Sequence, residues 1–279
     1  MTDVPSARRL AQDSGLLLRY GVRAPKLATL GAPFVELDFD EVVAKYVHDT
    51  AKSRHGWLKT WLHRRLRWFL SDFDINGLLG TYPMHVLSTA QWTQLLGAGS
   101  HGRLLDVGSG RGDVTTELGR LFDEVTATET SKPMVRRLEK LGFRVISGDL
   151  ATLPHTDKYD VVSLLNVLDR CDRPLSLLGR ARELVRSGGR LVIALVLPYR
   201  PFVYDSGVPR APLERLPITY DSFEDAALQL VEQALLPLGF VIESMSRAPY
   251  LSGGDAEKPL YELDDLILVC RAVGDVHVL

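Results

Sequence analysis

From residue 103 onward, short apolar runs alternate with amphipathic stretches. Arg103–Val107, Glu124–Thr128, Phe143–Ile146, Tyr159–Leu165 and Arg190–Leu197 are each only a few residues long and mostly apolar. Runs of that length without a polar face fit strands covered on both sides. Between them, apolar residues at three- and four-residue spacing predict helices over Asp113–Leu121, Pro133–Leu141 and Pro174–Val185. Such alternation predicts a doubly wound α/β sheet. A helix over Ser222–Leu236 and strands at Phe240–Ser246 and Asp265–Arg271 follow. The expected total is seven strands, the last antiparallel.

The first hundred residues have a different rhythm. Val42, Val43, Tyr46 and Val47, then Trp57, Leu58, Trp61, Leu62, Leu66 and Phe69, predict helix over Asp40–Leu70. Asp74–Gly80 reads as a glycine-punctuated turn, and Ser88–Leu96 as a short helix. Before residue 33 only Leu16-Leu17-Leu18 suggests docking. The expected organisation is therefore an N-terminal helical cap (1–99) packed on a Rossmann-like domain (100–279). Arg64, Arg65 and Arg67 beside Trp61 and Trp68 could meet nucleic acid, but the whole chain carries a net charge of −2. A solvated helix face explains them better, and no broad nucleic-acid surface is expected.

Candidate chemistry begins where the run ending at Val107 meets a glycine loop, Asp106-Val107-Gly108-Ser109-Gly110-Arg111-Gly112. Gly108, Gly110 and Gly112 let main-chain N–H groups approach a ligand with no Cβ in the way. Glu129 closes the next strand, where an acid can accept both hydroxyls of a ribose. The dinucleotide fingerprint fails, because its third glycine would fall at Asp113. Asp106, two residues before the first glycine, opposes a pyrophosphate but complements the ammonium and sulfonium of S-adenosyl-L-methionine. That cofactor, leaving as S-adenosyl-L-homocysteine, is the expectation. The sheet with its terminal antiparallel strand matches the class I S-adenosylmethionine-dependent methyltransferase arrangement. Asp149, after the third strand, is a candidate for the adenine amino group. Asn166 and Asp169 follow the fourth strand, where ligands bind at the carboxyl ends of an open sheet. They are expected beside the transferred methyl, although helix capping would also use such residues. The connection from Pro198 to Asp221 holds five prolines and would form a lid or substrate loop.

Other chemistries lack their residues. No Asp/Asn-Pro-Pro-aromatic turn for base amino groups follows the fourth strand, and Cys171 follows Arg170 rather than proline. Cys171 and Cys270 read as reduced thiols, and no His/Cys spacing suggests a metal. The start of the chain has no apolar core of signal-peptide length and no run reaches membrane-span length, so a soluble, cytoplasmic protein is expected.

Asp169-Arg170-Cys171-Asp172-Arg173-Pro174-Leu175, with Ala194-Leu195-Val196-Leu197-Pro198, resembles the DREV family, methyltransferase-like protein 9. Asp74–Gly80 and Ala248-Pro249-Tyr250-Leu251 are also similar to that family, and the likeness runs over roughly residues 35 to 272. The resemblance implies a protein-histidine N-methyltransferase acting on the pros nitrogen in His-x-His motifs with a small middle residue. It implies cofactor roles for Asp106, Gly108 and Glu129, and substrate roles for Asn166, Asp169 and Tyr261. The hydrophobic leader of animal members is absent here, so their secretory location is not carried over. A methyltransferase for small molecules or nucleic acid, and a methyltransferase-fold binding module without turnover, are the alternatives.

Overall fold

The computed structural model describes residues 4–13, 15–52, 83–150, 156–205, 208–254 and 260–274. The expected aromatic stripe beyond Lys52 and the turn at Asp74–Gly80 lie outside them. In chain order the elements are α1 (Val4–Asp13), a 3₁₀ turn (Pro25–Leu30), α2 (Glu41–Lys52), β1 (Met84–His85) and α3 (Thr89–Leu96). Then come β2 (Arg103–Val107), α4 (Asp113–Gly119), β3 (Glu124–Glu129), α5 (Lys132–Lys140), β4 (Arg144–Ser147) and β5 (Tyr159–Leu165). The remainder is α6 (Pro174–Leu184), β6 (Val185–Val196), β7 (Val203–Asp205), β8 (Val208–Arg210), α7 (Phe223–Leu230), β9 (Phe240–Gly253) and β10 (Leu260–Ala272).

The main sheet has the order β1-β9-β10-β6-β5-β2-β3-β4. Strands β4, β3, β2, β5 and β6 are parallel, while β10 runs antiparallel to β6 and to β9. The expected seven strands are present in a Rossmann-like, class I methyltransferase order. The sequence reading is corrected by an eighth: Met84 and His85 pair with Ser252 and Leu251 on β9. This strand precedes residue 100, so the sheet draws on the segment expected to be cap.

Period-two alternation covers both faces. Leu104, Val161, Val192 and Ile267 join one buried cluster with Trp92 of α3. Leu105, Val162, Ile193 and Leu268 join the opposite cluster with α6 and α7. Each such aliphatic side chain withdrawn from water contributes about 1.5–3 kcal/mol, which makes β5 and β6 a rigid centre for what their ends carry.

Several boundaries differ from expectation. The helix expected to Leu236 is α-helical only to Leu230, then widens into a π turn at Val231–Leu235. Pro237 cannot donate to the carbonyl four residues back, and its ring crowds that carbonyl. Strands β9 and β10 run beyond the sheet as a ribbon, Pro249 opposite Asp264, where proline and two acids obscure the apolar pattern. Docking at Leu16–Leu18 is as expected: Leu16 and Leu18 are buried while Leu17 is exposed. Glu262 Oε2 accepts from the Leu17 and Leu18 N–H groups at 2.6 and 3.0 Å.

Candidate active site

The crevice lies at the carboxyl ends of β2 and β5, where the strand order reverses. Asp106 and Ser163 are register partners on these neighbouring strands. Asp106 is buried, its Oδ1 accepting from Ser163 Oγ and its Oδ2 from Thr115 Oγ1, both at 2.6 Å. Burial raises its carboxyl above the usual range, against the lowering effect of those hydroxyls. Asp106 thus ties β2 to β5 and α4 and sets a buried acid beneath the loop, each oxygen already holding a hydroxyl.

The loop turns because its glycines adopt φ of 68°, 53° and 81° at Gly108, Gly110 and Gly112. A Cβ at Gly108 would stand 2.8 Å from Val167 Cγ2, so the loop and the turn after β5 touch. Glu129 Oε2 accepts the Gly110 N–H at 2.9 Å, and Oε1 accepts the N–H groups of Thr130 and Ser131 at 2.7 and 2.9 Å. Glu129 therefore faces the glycine loop from the end of β3, with Oε2 holding one donor and room for another. Asp149 is exposed beyond β4, where the Gly148 N–H bonds the Glu129 carbonyl at 2.9 Å.

Asn166 terminates β5 in the left-handed region, φ 56°, its N–H on the Ala194 carbonyl of β6 at 2.9 Å. Its Nδ2 crosses β6 to donate to Asp265 Oδ2 at 2.8 Å. Asp169, buried, meets Arg170 Nη1 through Oδ2 at 2.5 Å. Burial pushes the Asp169 carboxyl up to about 6, although the Arg170 charge works against that rise. Three buried oxygens of this cluster, Asn166 Oδ1, Asp169 Oδ1 and Asp265 Oδ1, have no hydrogen-bond partner among the described residues. An unsatisfied buried acceptor costs about 1–3 kcal/mol, so three together mark a place kept for something else.

The structure brings Asn166 and Asp169 together with the glycine loop. Tyr261 is exposed at the start of β10, four residues before Asp265 on the same face of the strand. Sequence reasoning missed Asp265 as a site residue, and Ser163 and Thr115 as holders of Asp106. A signal for Asp265 existed: a carboxylate entering the apolar run Leu266–Val269 must be paired or functional. Burial raises the Cys171 thiol to about 12, away from the thiolate form that a nucleophile uses.

The Pro198–Asp221 connection carries the β7–β8 hairpin and is fastened beside the site. Phe202 N–H bonds the Asp169 carbonyl at 3.1 Å, and Arg170 lies 4.1 Å over the Phe202 ring. Asp172 accepts both Arg210 Nη1 and Nη2 at 2.8 Å, and the Leu213 N–H at 2.9 Å. Exposed pairs add little global stability, so Asp172→Ala is expected to speed amide exchange in Val203–Asp205 and Val208–Leu213 with little change in the thermal midpoint. Unchanged exchange there would show that the latch does not hold the hairpin.

A separate cavity of about 650 Å³, lined by Gly102, Asp160, Gly189, Arg190 and Arg271 among others, opens at the amino ends of β2, β5 and β6. It is at the wrong end of the parallel strands to take part in this crevice. Among the described residues, no helix is long and apolar enough to cross a membrane.

Residues 24–272 match the model of the DREV methyltransferase family. The ubiquinone biosynthesis O-methyltransferase of Xanthomonas oryzae pv. oryzae is 26% identical over 136 residues, 46% of this chain and 55% of that protein. The chain thus spans about half the length of the curated relatives it matches. Among solved structures, the N-methyltransferase NodS of Bradyrhizobium japonicum is 14% identical, covering 67% of this chain and 94% of its own, with a TM-score of 0.43. The glycopeptide N-methyltransferase MtfA, complexed with S-adenosylmethionine, is 18% identical, covering 67% and 87%, with a TM-score of 0.44.

Proposed function

Because the chain belongs to the DREV methyltransferase family, we propose that it methylates the pros nitrogen, Nδ1, of histidine in His-x-His segments with a small middle residue. The observation that carries this reading is the pair of buried, unpartnered acceptors, Asn166 Oδ1 and Asp169 Oδ1, at the end of β5.

The crevice fits the cofactor. Gly108 leaves no room for a Cβ against Val167, and the Glu129 carboxylate faces the loop. Gly108, Gly110 and Gly112 would bring the protein main chain close to S-adenosylmethionine, with Glu129 Oε2 toward its ribose and Asp149 toward its adenine, over the buried Asp106. When bound, it supplies an electrophilic methyl on a sulfonium and leaves as S-adenosylhomocysteine.

The protein's own work is tautomer choice and alignment. An imidazole of pKa about 6.5 is mostly neutral at pH 7, so no strong base is needed to uncover a lone pair. For Nδ1 to be bare, Nε2 must carry the proton. Asp169 accepting from Nε2–H fixes that state and stabilises the charge that the ring acquires. Asn166 and Tyr261 fix the ring plane, and alignment alone can supply about 7–11 kcal/mol.

A pH dependence follows. Asp169 must be ionised and the substrate imidazole neutral, so below pH about 6 log kcat/KM should fall with a slope of two. Asp169→Asn should reduce that slope to one. An unchanged slope in the variant would remove Asp169 from the titration.

The test of substrate class is labelled S-adenosylmethionine offered separately with an alternating-histidine peptide, RNA and phenolic small molecules. Label in the peptide, at histidine, is the expected result. Label confined to RNA or to the phenols would replace this reading with another methyl acceptor.

A further inference from the structure

Asp265 sits in register between Val196 of β6 and Ala248 of β9 with no exposed surface. Ile267 and Val269, two and four residues on, fill the same face with apolar side chains, and packing alone would ask the same of position 265. Its Oδ2 instead accepts the Asn166 amide nitrogen at 2.8 Å. The Asn166 backbone is itself pinned, left-handed, to the Ala194 carbonyl. With the backbone fixed and Nδ2 committed, Asn166 Oδ1 has one orientation left, and among the described residues it has no partner, like Asp169 Oδ1. The neighbouring cation, Arg170, is engaged by Asp169 Oδ2, by the Asp169 carbonyl and by the Phe202 ring.

We propose that Asp265 is a positioning residue: it holds the amide nitrogen of Asn166 and thereby commits Asn166 Oδ1, beside Asp169 Oδ1, to accept hydrogen bonds from the substrate. Two acceptors side by side, Asn166 Oδ1 and Asp169 Oδ1, take a nucleophile that arrives with an N–H or O–H to donate, and repel an anionic oxygen. On the histidine reading, on which the choice of substrate rests, Nε2–H of the neutral ring meets this set and leaves Nδ1 bare. Burial, reinforced by the charges of Asp169 and Asp264, raises the Asp265 carboxyl well above its usual range, while the bond from Asn166 opposes the rise. What Asn166 Nδ2 meets is one accepting oxygen, Asp265 Oδ2, and a side-chain amide at 265 also supplies one.

The test pairs Asp265→Leu with Asp265→Asn, and Asp265→Ala replaces the leucine variant if that does not fold. The side-chain amide signals of Asn166, assigned by their loss in Asn166→Ala, are followed by ¹⁵N NMR in the full chain. In Asp265→Leu they should move and exchange faster with water, while Asp265→Asn keeps them near their parent positions. Turnover of the alternating-histidine peptide should fall about 100-fold in kcat for Asp265→Leu and recover most of that in Asp265→Asn, with S-adenosylhomocysteine affinity within twofold throughout. Unmoved Asn166 signals in Asp265→Leu, or equal loss of turnover in both variants, would overturn the proposal. If the signals behave as expected but the parent protein leaves the peptide unmethylated, the positioning role stands and the histidine reading falls.

Discussion

Asp169→Asn is expected to lower kcat on the histidine peptide by about 100- to 1000-fold, the range for removing one charge-stabilising group at a reacting centre. S-adenosylhomocysteine affinity should stay within about twofold, because the cofactor is assigned to the loop and Glu129. The same variant should be more stable than the parent at pH 7. Burial raises the Asp169 carboxyl from 3.8 to about 6, so between those values the folded chain keeps a proton that the unfolded chain has released. The cost of ionising it is absent below pH about 4 and complete above about 6, on the order of 3 kcal/mol. A slower but more heat-resistant enzyme is the signature of a group kept for chemistry. Kinetics, calorimetry and thermal unfolding at pH 7 check it, and a variant that loses cofactor affinity in proportion to turnover would place Asp169 in the wrong subsite.

Gly108→Ala should cost about 30-fold or more in cofactor affinity. The residue is held at φ 68°, where a Cβ costs about 1–2 kcal/mol. That Cβ would also stand 2.8 Å from Val167 Cγ2, and valine is stiff at χ1. Overpacking of this kind adds about 1–3 kcal/mol, and the loop relieves it only by leaving the geometry that faces the cofactor. Gly110 is the control: its Cβ would meet nothing closer than Met84 Cε at 3.9 Å, so Gly110→Ala should lose less. Val167→Ala in the Gly108→Ala background should restore the share due to overlap. Calorimetry with S-adenosylhomocysteine reads all four proteins, and a Gly108→Ala protein binding like the parent would disprove close contact between loop and cofactor.

Much of this site is readable from residue order alone, and the reasons are local. The glycine loop announces itself because only glycine sustains three left-handed turns so close together. Asn166 and Asp169 stand out because they end the apolar β5. Asp265 is different: its role depends on a pairing across β6 with a residue 99 positions away, which no local pattern encodes. Strand β1 was hidden for a similar reason, since Met84 and His85 are too few to show a period and are strand only because β9 is there to pair. The extension of β9 and β10 is masked by Pro249, Glu262 and Asp264, all residues that disfavour a strand in isolation. Tertiary contacts overrule them: Arg247 Nε donates to Asp264 Oδ1 at 2.9 Å and Arg19 Nη1 to its Oδ2 at 2.7 Å.

The central claim is that Asp169 dictates which ring nitrogen is free, and the position of the new methyl tests it most directly. An alternating-histidine peptide methylated by the full chain can be hydrolysed and its methylhistidine separated against both authentic isomers. Methyl on Nδ1 alone is the predicted result. Methyl on Nε2 would mean that the acceptor at the end of β5 does not hold the Nε2 proton, and the assignment of Asn166 and Asp169 would be contradicted.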